Sequence, residues 1–333
     1  MLQVTKVMVL RSLRALGGFQ LVAGSGWRQR RLLILCYHGF SLRDEHRWNP
    51  ALFVTGDHLE RRLGALHEGG CEVVPLGEGL ERLRAGTLPP RAVTITVDDG
   101  LHDFRAVAYP ILSRRRTPVT VYASSYYIVD QRPVFPVMAS YLLWRGGENG
   151  VRVDTEATAT ELVRRANDER WSADDKHACL GQLARDMAED WEGLLRDRVL
   201  GLMNPAEIGA LDPGIADIQL HTHRHRTPLD HDQFSRELRE NRDALAACGL
   251  DRNRLVHFCY PSGVHHPKFL PWLREAGVVT ATTCLPGLAR ADTEALLLPR
   301  FIDTSVTPDV EFEAWSAGIR GILRRPQRQF TPQ

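Results

Sequence analysis

No stretch of this 333-residue chain approaches the roughly 20 apolar residues that a membrane-spanning helix needs; the most apolar short run is Leu32 to Tyr37. No pair among its six cysteines (36, 71, 179, 248, 259 and 284) has the Cys-x-x-Cys spacing of a zinc knuckle or redox motif, so they read as core thiols in a reducing compartment. Net charge is nearly absent: a formal +1 gives no global reason to expect nucleic acid as a partner. Internal repeats and low-complexity tracts are missing as well. Finally, no acidic residue occurs from Met1 to Arg43, although Lys6, Arg11, Arg14, Arg28, Arg30, Arg31 and Arg43 lie there. This basic leader, residues 1–31, reads either as a helix docking on the domain or as a peripheral contact with anionic lipid. Its apolar part, Ala15 to Gly24, holds Gln20 and three glycines and makes a poor signal peptide. A cytoplasmic location is therefore expected, with membrane association as the other option.

What is present is an ordinary globular composition, 43% hydrophobic and 25% charged, enough for one large α/β domain or two small ones. From residue 32 onwards short β-rich runs alternate with helical patterns, as in a parallel sheet with crossover helices. Strands are predicted at Leu32 to Tyr37, Cys71 to Leu76, Ala92 to Val97, Pro118 to Ala123, Asp217 to Leu220, Leu255 to Cys259, Val278 to Thr283 and Ala295 to Leu298. Helices are predicted around Leu59 to Leu66, and at Glu78 to Arg84, Phe104 to Arg115, Phe234 to Cys248 and Phe269 to Ala276. Between about 131 and 212 the pattern changes: Leu180, Leu183, Met187, Trp191 and Leu194 recur at mostly helical spacing among charges. That predicts a helical insertion over one rim of the sheet, acting as a substrate lid or as stabilising decoration. Residues 32–305 then form the main domain and 306–333 a C-terminal helix and tail, frayed from Leu323 to Gln333.

Two motifs carry chemistry. Asp98-Asp99-Gly100 follows the run Ala92 to Val97, and His221-Thr222-His223-Arg224-His225 follows Asp217 to Leu220. Alone, the first is most often a turn and the second a solvated helix face. Here Gln219-Leu220 before the histidines and Thr227-Pro228 after them argue for a strand running into a loop. Catalytic Zn²⁺ commonly takes three protein ligands and keeps a position for water. One Asp with two His meets that requirement, and the other Asp is left as general base. Tyr37-His38, Tyr260-Pro261-Ser262-Gly263 and Arg300 also follow predicted strands. In a (β/α) barrel the chemistry sits at the C-terminal strand ends, and every candidate group falls there.

With these residues in view, the chain resembles the polysaccharide deacetylases, the family four carbohydrate esterases that share the NodB homology domain. Thr96-Val97-Asp98-Asp99-Gly100 is similar to their Thr-Phe-Asp-Asp-Gly motif, and His221 to His225 to their His-Ser/Thr-x-x-His motif. Phe258 to Gly263 looks like a degenerate form of their Arg-x-Pro-Tyr-Gly. The resemblance implies a distorted (β/α) barrel of the NodB type. It assigns Asp98 as catalytic base, Asp99, His221 and His225 as metal ligands, and the backbone N–H near Ser262 as oxyanion donor. Two departures stand out. Cys259 occupies the place of the Arg that orients the base, with Arg300 as the candidate substitute. No His follows His266, so the C-terminal general acid is missing; the Tyr37-His38 pair resembles the N-terminal Tyr-His of the poly-N-acetylglucosamine deacetylase branch, which makes His38 the expected acid ahead of His265 or His266. His223 is expected to point away from the ligands, and His102 and His231 to lie at the surface.

The implied reaction is removal of N-acetyl groups from an amino-sugar glycan or a lipid-linked sugar. Zn²⁺ is the metal expected on ligand type, with Co²⁺, Ni²⁺ and Mn²⁺ able to use similar sets. Two alternatives stay open: a metal amidohydrolase acting on a non-sugar amide, and a non-catalytic glycan-binding or assembly protein of the same fold.

Overall fold

The computed structural model describes residues 2–151, 160–162 and 171–322; the tail expected at 323–333 lies outside them. Nine strands are found among the described residues: β1 (Leu33–Tyr37), β2 (Gly39–Phe40), β3 (Phe53–Val54), β4 (Val93–Val97), β5 (Val119–Ala123), β6 (Ala216–Leu220), β7 (His257–Cys259), β8 (Thr280–Thr282) and β9 (Phe301–Ile302). Seven form one sheet in the order β8-β7-β6-β5-β4-β1-β9, and its neighbours are parallel throughout. Strands β2 and β3 make a separate parallel pair beside it.

Every residue of β1, β4 and β5 is buried, because the sheet curls into a half-barrel with helices outside and a filled interior. The period of two sorts the side chains. Leu33, Leu35, Val93, Ile95, Ile218 and Leu220 join the core beneath the helices. Ile34, Tyr122, Cys259 and Leu298 form a second cluster inside the curl, sealed at the bottom by Leu76, Leu80 and Leu83 of the helix Leu76–Ala85. Extending the alternation past the strand ends aims Asp98 and His221 into the mouth of this interior.

One segment ties the two edges of the curl together. Leu298 bridges Thr282 of β8, while Phe301 pairs with Leu35 of β1. Arg300 is held between them, fully buried. Ala295 to Leu298 is therefore not a full strand, and Arg300 enters β9 instead of leaving a strand. The long side chain, not a strand end, delivers its charge to the site.

Two further expectations need correction. Cys71 to Leu76 supplies only a bridge from Val73 to Val93, since Pro75 at the helix N-cap turns the chain and Leu76 already belongs to the helix. Phe104 to Arg115 begins as a π-turn over Phe104–Ala108 before the α-helix Tyr109–Arg114. Pro110 has no N–H to give, and Tyr109 N–H reaches back to the Phe104 carbonyl, an i to i−5 bond.

The region 131–212 contributes the helices Phe135–Glu148, Ala173–Asp186, Trp191–Arg196 and Pro205–Gly209. Leu142, Leu180, Ala184 and Leu194 are continuous with the main core, so these helices are packed structure and not a detached flap. Their last stretch also reaches the Asp-Asp-Gly turn: Met203 N–H donates to the Gly100 carbonyl at 3.0 Å and His102 N–H to Gly201 at 2.8 Å.

The leader forms the helices Leu2–Ala15, Gly18–Ala23 and Gly26–Gln29. Leu10 and Phe19 pack on Val310 and Ala314 of the helix Asp309–Ser316. Arg28, wholly buried, donates to the carbonyls of Arg31 (2.7 Å), Ser316 (2.9 Å) and Ala92 (3.1 Å), with burial lowering its pKa to about 10. It stitches the leader to the C-terminal helix and to the entry of β4. Arg28→Ala leaves these buried acceptors without their donor and is expected to cost roughly 2–4 kcal/mol in urea unfolding. An unchanged midpoint would show that the stitch is dispensable.

Candidate metal and acid-base site

The mouth of the barrel gathers groups from distant parts of the chain. Asp98 N–H donates to the Tyr37 carbonyl at 3.0 Å, which continues the β1–β4 ladder by one residue and fixes where the carboxylate points. Arg300 clamps that carboxylate with two bonds, Nη1 to Oδ1 at 2.7 Å and Nη2 to Oδ2 at 2.8 Å. The Cys259 thiol lies 3.4 Å and the Cys36 thiol 3.7 Å from Oδ2. Burial by itself would raise the Asp98 pKa; the Arg300 guanidinium, aided by His38 and His221, outweighs it and holds the carboxyl well below the ordinary range. Cys259 is small enough to admit Arg300, whose Nη2 sits 3.1 Å from its sulfur.

Asp99, with φ at 71°, turns its carboxylate the other way. Its Oδ1 is 3.3 Å from Nε2 of both His221 and His225, and these three residues offer ligand atoms within 4.8 Å of one another. The His221 Nδ1 bonds the Cys259 carbonyl at 2.9 Å. A carbonyl only accepts, so Nδ1 carries a proton and Nε2 is the nitrogen left to serve as a metal ligand. A divalent cation fits this donor set, one carboxylate and two imidazole nitrogens.

Thr222 (φ 60°), His225 (53°) and Ser262 (54°) are also left-handed. With Asp99, four of the ten non-glycine residues of this kind among those described lie at the site. For a β-branched Thr such a conformation is costly and persists only where the surroundings impose it. Two buried residues supply that constraint. Asn241 receives the His221 N–H at 3.0 Å and donates to Ala123 and Ser125. Glu237 takes the N–H of Arg224 at 2.7 Å and the Arg226 guanidinium at 2.8 Å. Neither was singled out from sequence, yet a signal existed: Phe234, Leu238, Asn241 and Leu245 share one buried helix face, and a lone Asn there must have partners.

The remaining candidates sort by position. His38 Nε2 lies 3.7 Å from Asp98 Oδ2, and its buried Nδ1 has no hydrogen-bond partner among the described residues. His265 bonds the Gly263 carbonyl and His266 accepts the Lys268 N–H, both local contacts. Ser262 is exposed in the tight turn Pro261–Gly263. His223 faces Ser125, with Nδ1 to Oγ at 2.9 Å, and is outside the ligand trio. His231 is half-exposed on Glu275, whereas His102, expected at the surface, is mostly covered and sits 3.0 Å from Glu207 because the Gly201–Met203 pairing draws it inward.

Two substitutions separate the roles of the supports. Arg300→Met strands the Asp98 charge in the interior and is expected to cost about 3–5 kcal/mol in urea unfolding; a loss below 1 kcal/mol would mean that the carboxylate has other compensation. Asn241→Leu should keep the core filled but weaken Zn²⁺ binding about 10–100-fold in a chelator competition, an effect absent if Asn241 does not position His221.

A family model described as polysaccharide deacetylase matches residues 85–281. A search of the curated proteins finds no match. Among solved structures, the Streptococcus pyogenes deacetylase PplD in complex with acetate is 18% identical, with 84% of this chain and 96% of that one covered and a TM-score of 0.56. IcaB from Ammonifex degensii is 18% identical over 86% of this chain and 97% of its own, with a TM-score of 0.56. A de-N-acetylase from Aggregatibacter actinomycetemcomitans reaches a TM-score of 0.57 at 13% identity, covering 86% and 99%. At such identities the solved structures speak for the fold, and the family match spans more than half of the sequence. The curled parallel sheet, the Asp-Asp-Gly turn at the end of β4 and the histidine pair beyond β6 thus fall together in one lineage: the chain belongs to the polysaccharide deacetylase family.

Proposed function

We propose that the protein is a divalent-metal-dependent N-deacetylase that removes acetyl groups from an amino-sugar glycan. The observation that carries this reading is the Asp99, His221 and His225 trio beside a second, separately clamped carboxylate, Asp98. Asp99, His221 and His225 would hold the metal, Zn²⁺ on ligand type. When bound, the cation lowers the pKa of water and polarises a carbonyl.

The chain's own groups supply the rest. Asp98 accepts the proton of the attacking water, and Arg300 aims it for that task by occupying one side of both its oxygens. The Ser262 N–H stands as donor to the oxyanion, its left-handed turn setting the direction of the amide. An amine leaves only when protonated, and we assign that proton to His38, whose Nε2 lies 3.7 Å from Asp98 at the exit of β1. The products are acetate and a free amino sugar.

Metal content and acetate release from N-acetylglucosamine oligomers, measured on the same samples, test this directly. The wild type should hold about one metal per chain and release acetate. Asp98→Asn should keep the metal and lose at least about a hundredfold in kcat, whereas His221→Ala should lose both. Near-normal turnover by Asp98→Asn would sink the assignment of the base, and a metal-free active wild type would sink the mechanism.

A further inference from the structure

The leader's charges divide by face. Lys6 pairs with Glu311, and Arg14 with Glu313 at 3.0 Å, both on the helix Asp309–Ser316. Together with buried Leu10 they define the inner side of the helix Leu2–Ala15. The exposed side carries apolar side chains beside Thr5, Arg11 and Ser12. Val4, Met8, Arg11 and Ala15 follow one another at i, i+4, i+7 and i+11, and Val4 is 65% and Met8 62% exposed. Leu16, 81% exposed, and Leu21, 77% exposed, lie on either side of the Gly17 turn that follows. Single exposed apolar residues are ordinary, but several on one helix face mark an interaction surface.

Beside the face runs a shallow groove lined by Arg11, Arg14, Arg61 and His58. Its one lining carboxylate, Asp309, is already bonded to Arg62 at 2.6 Å. Arg11 and Arg61 are exposed. Since residues 1–43 contain no Asp or Glu, nothing from the leader neutralises the rim of the apolar face. A second copy of the chain, docked with this groove on a two-fold axis, would set the same arginines against each other. An anionic lipid surface answers both features at once: headgroup phosphates meet the arginines, and the acyl boundary receives the apolar side chains.

We infer that the outer face of the helix Leu2–Ala15, with the Arg11 and Arg61 groove, is a docking surface for anionic lipid membranes. The binding is peripheral, since no helix among the described residues is long and apolar enough to cross a bilayer. The surface lies on the flank of the site: His58 bonds Asp303 at 3.0 Å, and Asp303 accepts the hydroxyl of Tyr37 at 3.0 Å, beside His38. A deacetylase held there would work on glycan close to the bilayer. The inference does not depend on the deacetylase reading, because its readout is binding alone.

Co-sedimentation of the full chain with phosphatidylglycerol/phosphatidylcholine vesicles, and with phosphatidylcholine alone, tests it. The wild type should partition onto the anionic vesicles at least about tenfold more strongly than onto the neutral ones, with the difference shrinking in 0.5 M salt to about half or less. Met8→Glu/Leu16→Glu and Arg11→Glu/Arg61→Glu should each lower partitioning at least about tenfold, while Arg11→Lys/Arg61→Lys retains it. Thermal unfolding of each variant within a few degrees of wild type verifies folding. Wild type that ignores anionic vesicles, or Glu variants that bind like wild type, would overturn the inference. So would a concentration-dependent dimer abolished by Met8→Glu, which would give the face to a second copy of the chain.

Discussion

The buried pair between Asp98 and Arg300 is the contact around which this structure is organised. A carboxylate with almost no solvent exposure is untenable unless a cation meets it, and the bidentate guanidinium supplies both charge and geometry. Arg300 can do so only because the segment from Leu298 to Ile302 spans the seam between β8 and β1. Closure of the half-barrel and orientation of the candidate base are therefore one event. The same closure places Cys259 and Cys36 against the carboxylate, small and weakly polar neighbours that leave the guanidinium room.

Around that pair the site is built by opposed constraints. The strands aim residues by strict alternation, and the loops beyond them break it with left-handed backbone at Asp99, Thr222, His225 and Ser262. Adjacent aspartates consequently serve different volumes, one facing Arg300 and the other the two imidazoles. Such backbone is unfavourable in isolation and is held by groups outside the motifs: Asn241, Glu237 and the Gly201–Met203 stretch paired to the Asp-Asp-Gly turn. The loop Gly201–Met203, between the helices Trp191–Arg196 and Pro205–Gly209, consequently bears on the site through backbone hydrogen bonds, while the helices of 131–212 pack on the core.

The strand runs at Leu32 to Tyr37, Ala92 to Val97, Pro118 to Ala123 and Asp217 to Leu220 were readable because each is a short apolar or alternating segment with a helix pattern beyond it, and burial of both faces leaves such runs little freedom. The candidate site residues were readable for a different reason: acids and imidazoles at strand exits have few structural uses. Cys71 to Leu76 misled because its composition suits a strand, while Pro75 and the helix that follows decide otherwise.

What the sequence alone determined was the inventory of chemistry: two adjacent carboxylates, a spaced histidine pair, a Tyr-His at a strand exit and a leader without acids, all local in the chain. What only the tertiary structure decided was which of them meet. Arg300 touches Asp98 across some 200 residues, and His221 takes its tautomer from the Cys259 carbonyl. Asn241 reaches two separate segments, at His221 and at Ala123–Ser125, from the middle of a helix. Contacts of that span are set by how the sheet curls and closes, and no local pattern of residues encodes the curl.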